Sequence, residues 1–393
     1  MLLTIITFLI ILSVLVFVHE FGHFLVAKKT GIAVEEFGFG LPPRIFGKKI
    51  GETVYSINLL PIGGFVKLAG EDTDPSFAKA SEGKEGMFWQ KSKKVRLAVI
   101  VSGVIMNFLL AVFAFSVIYA KLGIPTKTDK VTIVGIAPGS PAQEAGLKEG
   151  DIALSAGGEE IKNTQGFVEI TQKYAGKPMS LEISREKDNP CKEKVLGAWP
   201  GLEISCKGEN LVLSIVPREA PPDGEGPLGV AISQVEMKFY PFWQMIPKGI
   251  LEGFKEAFAW ASLIVGALAS MLWQLLRFGT VPKDVAGPVG IFQITGTVAK
   301  TGILSVLQFL GILSVNLAVI NILPLPALDG GRLLFLGIEA ITGKRSHARF
   351  ERIVHTVGMM ILLFLILLVT INDIARILSS SGFAAHLKSL LPF

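Results

Sequence analysis

Four stretches of this chain, 2–26, 97–120, 303–323 and 353–371, are almost free of charge, and each is close to the length needed to cross a bilayer. The apolar core of a bilayer is about 30 Å thick and takes roughly 20 residues of helix. The backbone there has to satisfy its own hydrogen bonds, so each stretch is predicted to be a transmembrane helix. A fifth stretch, 257–276, is also uncharged. Half of the 393 residues are hydrophobic, 18% are charged and the mean hydropathy is +0.53, which excludes an ordinary soluble domain. The net charge of +5 implies no nucleic-acid partner, because the positive residues gather beside the apolar stretches. The first 26 residues have no basic leader and no small-residue cleavage site, and read as a retained helix rather than a signal peptide.

Orientation follows from the lysines and arginines. Segment 27–96 carries Lys28, Lys29, Arg44, Lys48, Lys49, Lys67, Lys79, Lys84, Lys91, Lys93, Lys94 and Arg96, and segment 324–352 carries Arg332, Lys344, Arg345, Arg349 and Arg352. Both are expected in the cytoplasm. The N-terminus, the long segment 121–235 and the tail 379–393 after the last span (353–378) then lie outside. A full crossing at 257–276 would reverse the 324–352 loop, so region 236–302 is expected to lie along the membrane or dip into it.

Segment 121–235 reads as a small mixed domain. Strands are predicted at 131–136, 152–155, 179–185 and 211–216, with a helix over 167–174. Cys191 and Cys206 fit no zinc motif, and either form a disulfide or stay reduced. On the cytoplasmic side, 34–40 and 53–67 alternate as strands do. They form either β-hairpins that touch the membrane or a loop with ordinary turns.

The chemistry sits at the end of the first span. His19-Glu20-Phe21-Gly22-His23 fits the HExxH pattern, in which residues four apart share a helix face, so both imidazoles reach one zinc ion and Glu20 sits beside its water. Ionisable groups at membrane depth are costly, which favours a functional reading. Catalytic zinc takes a third protein ligand. His347, His355 and His386 are poorly placed for it, whereas Asp329 ends another apolar segment on the same side. Asp329 alone would read as a helix cap.

HEFGHFLVA in the first span with NILPLPALDGG in the third resembles the site-2 protease family. The run APGSPAQEAGLKEGDIALSAGGEEI resembles a PDZ domain, and its single copy makes the chain most similar to the bacterial regulator of sigma-E protease group. VAGPVGIFQITG, GFG and PIGGFVK extend the likeness, while Gly103-Val104-Ile105-Met106-Asn107 lacks the proline that the family often carries. The fold implied is a polytopic α-helical membrane protein with four transmembrane helices, cytoplasmic membrane-associated β-hairpins and an inserted α+β PDZ domain. The resemblance implies one zinc ion on His19, His23 and Asp329, with Glu20 as catalytic base, in a multi-pass protein of the bacterial inner membrane. It further implies regulated intramembrane proteolysis of single-span proteins within the lipid bilayer. Those substrates would be anti-sigma factors first trimmed by an upstream site-1-type protease, or remnant signal peptides. An unwound substrate needs new backbone partners, for which Gly38, Phe39, Gly40, Gly63 and Gly64 are candidates by strand addition. Asn321 and Asn316 serve either substrate or helix packing, and Asn107 reads as packing. Leu228, Gly229 and Val230 form either a loop that binds a peptide C-terminus or a strand end, and the domain instead serves as a size filter in a further reading. A peptide-binding scaffold with a vestigial metal site and a metal transporter are the competing classes. The first has no need of Glu20, and the second would spread ligands over several spans.

Overall fold

The computed structural model describes residues 1–71, 86–186, 191, 204–278, 287–344 and 348–380. They form two compact units, Met1–Lys121 with Ile246–Phe393, and Leu122–Met245.

The first unit opens with α1 (Leu2–Lys29), 28 residues or about 42 Å of helix at about 1.5 Å per residue. Lys28 and Lys29 in its last turn suit the negative end of the helix dipole. Strands β1 (Val34–Ile50) and β2 (Thr53–Leu68) follow as an antiparallel pair that bends back on itself. Phe37 faces both Val66 and Tyr55, and Gly38 faces both Phe65 and Ser56. The first half of β1 is therefore an inner strand, and the second half of β2 is left with an open edge. The bend at Gly40 is held by the Asn58 side chain, which donates to the carbonyls of Phe39 (3.3 Å) and Gly40 (3.0 Å).

That open-edged stretch runs along α1. Ser13 donates to the Pro61 carbonyl (2.7 Å), Gly63 lies against Val16, and Val66 N–H donates to Glu20 (3.1 Å). From residue 13 to residue 20 is about 10 Å along the helix. The hairpin thus sits beside the apolar part of α1, not beyond its end. Next comes α2 (Lys93–Leu122), a 30-residue helix.

The second unit is a seven-stranded sheet with two helices on it. In chain order it has β3 (Ile124–Ile136), α3 (Pro141–Glu144), β4 (Ile152–Ala156), β5 (Glu159–Glu160), α4 (Thr164–Lys173), β6 (Met179–Ser184), β7 (Ile204–Lys207), β8 (Asn210–Ile215) and β9 (Val230–Lys238). The strand order is β7-β8-β6-β4-β3-β9, with β5 beside β4. Alternate apolar residues of β6 and β8, among them Leu181, Ile183, Leu211 and Leu213, are almost fully buried. Each such side chain contributes about 1.5–3 kcal/mol. Asn163 caps α4 by accepting from Gly166 N–H (2.7 Å). Cys191 and Cys206 are paired in a disulfide, which closes the alternative left open above. Residues 187–190 and 192–203, on either side of Cys191, lie outside the described residues.

Back in the first unit, α5 (Phe242–Phe278) is one 37-residue helix. It starts well before the predicted 257. A Cβ on Gly249 would meet Ser116 O at 3.3 Å, one on Gly253 would meet Val112 O at 2.7 Å, and Phe254 stacks edge-on with Phe108. As numbers rise on α5 they fall on α2, so the two run antiparallel, in close contact through Gly249, Gly253 and Ala257.

Helix α6 (Pro288–Thr301) runs antiparallel to α1, with Phe292 against Phe8 and Gly296 against Thr4. Its Gly290 N–H donates to the fully buried Asp373 (2.8 Å). Then follow α7 (Ile303–Ile322), α8 (Asp329–Thr342) and α9 (Ala348–Ser380), the last of which carries Asp373. Among the described residues five helices, α1, α2, α5, α7 and α9, are long and apolar enough to cross a membrane.

Candidate metal centre

His19 and His23 lie one turn apart on α1, their Nε2 atoms 3.2 Å from each other. Asp329, the first residue of α8, places Oδ2 at 3.0 Å from His19 Nε2 and 3.2 Å from His23 Nε2. The tight turn before α8 has no room for a side chain after the aspartate, since a Cβ on Gly330 would fall 1.8 Å from the Leu323 carbonyl. Space for the imidazoles is left by Gly103 on α2, where a Cβ would come within 2.4 Å of His23 Nε2.

These three atoms fit a metal better than they fit one another. His23 Nδ1 donates to the Val99 carbonyl (2.7 Å), so its Nε2 turns a lone pair toward Asp329. Asp329 Oδ2 is buried and takes no hydrogen bond. Converging lone pairs without a proton between them call for a cation. Tetrahedral ligands about 2.1 Å from a zinc ion stand about 3.4 Å apart, close to the spacing found here.

Around this triad the other groups take defined places. Glu20 accepts the Val66 N–H and shares a cavity of about 820 Å³ with His23, Asp329, Arg332, Glu339 and His355. Asn321 Nδ2 lies 3.3 Å from His19 Nε2, at the metal position, whereas among the described residues no hydrogen bond ties Asn316 to the cluster. Gly63 and Gly64 lie at the open edge of the hairpin. Gly38 and Phe39 do not, because β2 covers the inner strand on both sides, and Gly40 is taken up by the bend. His347 and His386 lie outside the described residues. His355 lines the cavity without belonging to the ligand cluster.

Asn107 does more than pack helices. Its backbone carbonyl does accept from Ser314 (2.7 Å), but its amide nitrogen sits 3.3 Å from His19 Nδ1 while its oxygen is buried and unpartnered. Turning the amide over lets that oxygen accept His19 Nδ1–H and frees Nε2 for a metal. A polar residue one turn from Gly103 in an otherwise apolar helix was the available signal. Val99 O and Val66 N–H are backbone groups that left none.

In the second unit a cavity of about 510 Å³ lies between α4 and edge strand β9, lined by Phe167, Val168, Arg218, Leu228, Val230 and Ile232. Leu228 and Gly229 use their carbonyls to hold Ala142 N–H and Ala137 N–H.

Comparison with known proteins agrees with this geometry. The model of peptidase family M50 matches residues 7–365. The chain is 31% identical to the regulator of sigma-W protease RasP of Bacillus subtilis, over 95% of this chain and 99% of that protein. It is 30% identical to the zinc metalloprotease RasP of Geobacillus kaustophilus, over 95% and 98%. A provisionally named zinc metalloprotease of Clostridium perfringens is 35% identical, over 93% and 97%. With a family model that spans most of the chain and runs through His19, Glu20, His23 and Asp329, this protein belongs to peptidase family M50, the site-2 proteases, and is a zinc metalloprotease.

Proposed function

We propose that the chain cuts the transmembrane segments of single-span membrane proteins, with His19, His23 and Asp329 as the zinc ligands and Glu20 as the general base. The observation that carries this reading is the meeting of three ligand atoms within 3.2 Å beside an open strand edge at the depth of the apolar part of α1. Bound there, zinc supplies a Lewis acid that acidifies water and polarises a carbonyl. Glu20 takes the proton of the attacking water and passes it to the leaving amine. Asn321 offers its amide to the oxyanion that develops on the scissile carbonyl. The substrate, once unwound, pairs with the edge of β2 at residues 64–68, which replaces the hydrogen bonds it has lost.

Residues 122–245 are inferred to be a PDZ domain outside the cytoplasm. The groove between α4 and β9, next to Leu228–Val230, supports a role in gripping a substrate's trimmed C-terminus, and the disulfide suits an oxidising compartment. The protein is placed in the bacterial inner membrane, with its basic 27–96 and 324–352 segments in the cytoplasm. Since α5 descends beside α2 and α6 returns antiparallel to α1, the pair leaves the orientation of the later helices unchanged. The substrates are anti-sigma factors or remnant signal peptides, in regulated intramembrane proteolysis.

The test is cleavage of a single-span reporter in membranes. Glu20→Gln and Asp329→Asn should each abolish cleavage while the protein still inserts, and cleavage persisting in both would overturn the assignment.

A further inference from the structure

We infer that His355, on the last helix, is the positioning residue that sets the turn presenting Asp329 to the two histidines; this rests on the ligand assignment proposed above. Among the described residues Ala327 is the one non-glycine with positive φ, at 74°. L-residues avoid that conformation unless their surroundings impose it. Here the surroundings are identifiable. The Ala327 amide, two residues before Asp329, donates to His355 Nδ1 at 3.0 Å, so a side chain from α9 supplies the partner that no backbone carbonyl provides.

The ring is held as firmly as the amide. Its Cε1 would lie 3.1 Å from a Cβ on Gly331, and its centroid is 5.8 Å from that of Phe335 on α8. One turn further along α9, a Cβ on Gly358 would fall 2.1 Å from Pro326 Cβ, so α9 also abuts the residue before Ala327. Helix α9 therefore braces the 326–329 turn from outside. If the bond from Ala327 is lost, the backbone can relax out of its left-handed conformation, and the carboxylate at 329 moves away from His19 and His23. A shift of that kind weakens metal binding without touching any ligand, as outer-shell changes do.

Asparagine carries its Oδ1 at the position of histidine Nδ1, one bond from Cγ, whereas glutamine carries its oxygen one bond further out. This separates hydrogen bonding from packing. The full-length protein is purified in detergent, and both its zinc content and the rate of zinc loss to a chelator are measured. His355→Leu and His355→Gln should lose zinc about tenfold faster or more, while His355→Asn should stay close to the unmodified protein. Retention of zinc by His355→Leu, or loss from the Asn variant as fast as from the Gln variant, would overturn the inference. Where His355→Leu does not fold, the Asn and Gln variants decide it by themselves. Asp329→Asn is measured alongside: if it keeps its zinc, the ligand assignment itself falls. If it loses zinc while His355→Leu does not, only the role of His355 falls.

Discussion

His23 is oriented by a group that is not itself a candidate ligand. The Val99 carbonyl fixes which ring nitrogen carries the proton, and the backbone that does so belongs to a different helix. The same logic applies to His19 through Asn107, at 3.3 Å. Replacing Asn107 with leucine keeps the volume but removes the partner, and should weaken zinc binding by about 10–100-fold, read as metal content after dialysis against a chelator series. Removing the metal from the unmodified protein should stop reporter cleavage, and zinc should restore it; activity unaffected by a strong chelator would contradict the metal assignment. A residue far from the site makes a different prediction. Asp151 and Arg185 form a buried bidentate pair (2.7 and 2.6 Å) in the second unit. Asp151→Ala leaves the buried guanidinium without its carboxylate, with the Gly146 carbonyl still accepting from it (2.9 Å), at a cost of up to about 3–5 kcal/mol, and should appear as a lowered unfolding temperature of the full-length protein.

At the level of elements, what could be read from the sequence follows how local each signal is. His19, Glu20 and His23 sit on one helix, and periodicity alone brings them together. Asp329 needed only a topology argument from charges. Helix α5 was half legible, because Lys248, Glu252, Lys255 and Glu256 break its hydropathy and hide its first turns. Its small-residue row, Gly249, Gly253 and Ala257, was nevertheless there to be read as a packing face. Gly253→Leu should push α5 away from Val112 and Ser116 and lower the yield of folded protein, measured by size-exclusion chromatography in detergent, with Gly266→Leu, where a Cβ meets nothing within 4 Å, as the neutral comparison. The doubling back of β1 and β2 could not be foreseen. Alternation marks strands but not which edge stays open, and here the register at Phe37 and Gly38 decides it.

For the whole molecule, the division into two units coincides with a change in solvent. The first unit exposes leucines, isoleucines and phenylalanines along α5 and α9 that only lipid would cover, whereas the second buries its apolar side chains in a core of its own. The two connections of that second unit are themselves part of its sheet: Ile124 pairs with Lys238 and Pro125 with Met237. Entry and exit thus lie side by side, one strand spacing apart, about 4.8 Å. Such an arrangement makes the unit a cassette. Its removal leaves two chain ends that a short turn can rejoin, and a different domain with equally close termini can take its place. A version lacking 124–238 should still insert in the membrane and retain zinc, while its choice among substrates changes. In evolutionary terms, such a unit can be exchanged without disturbing the part that cuts.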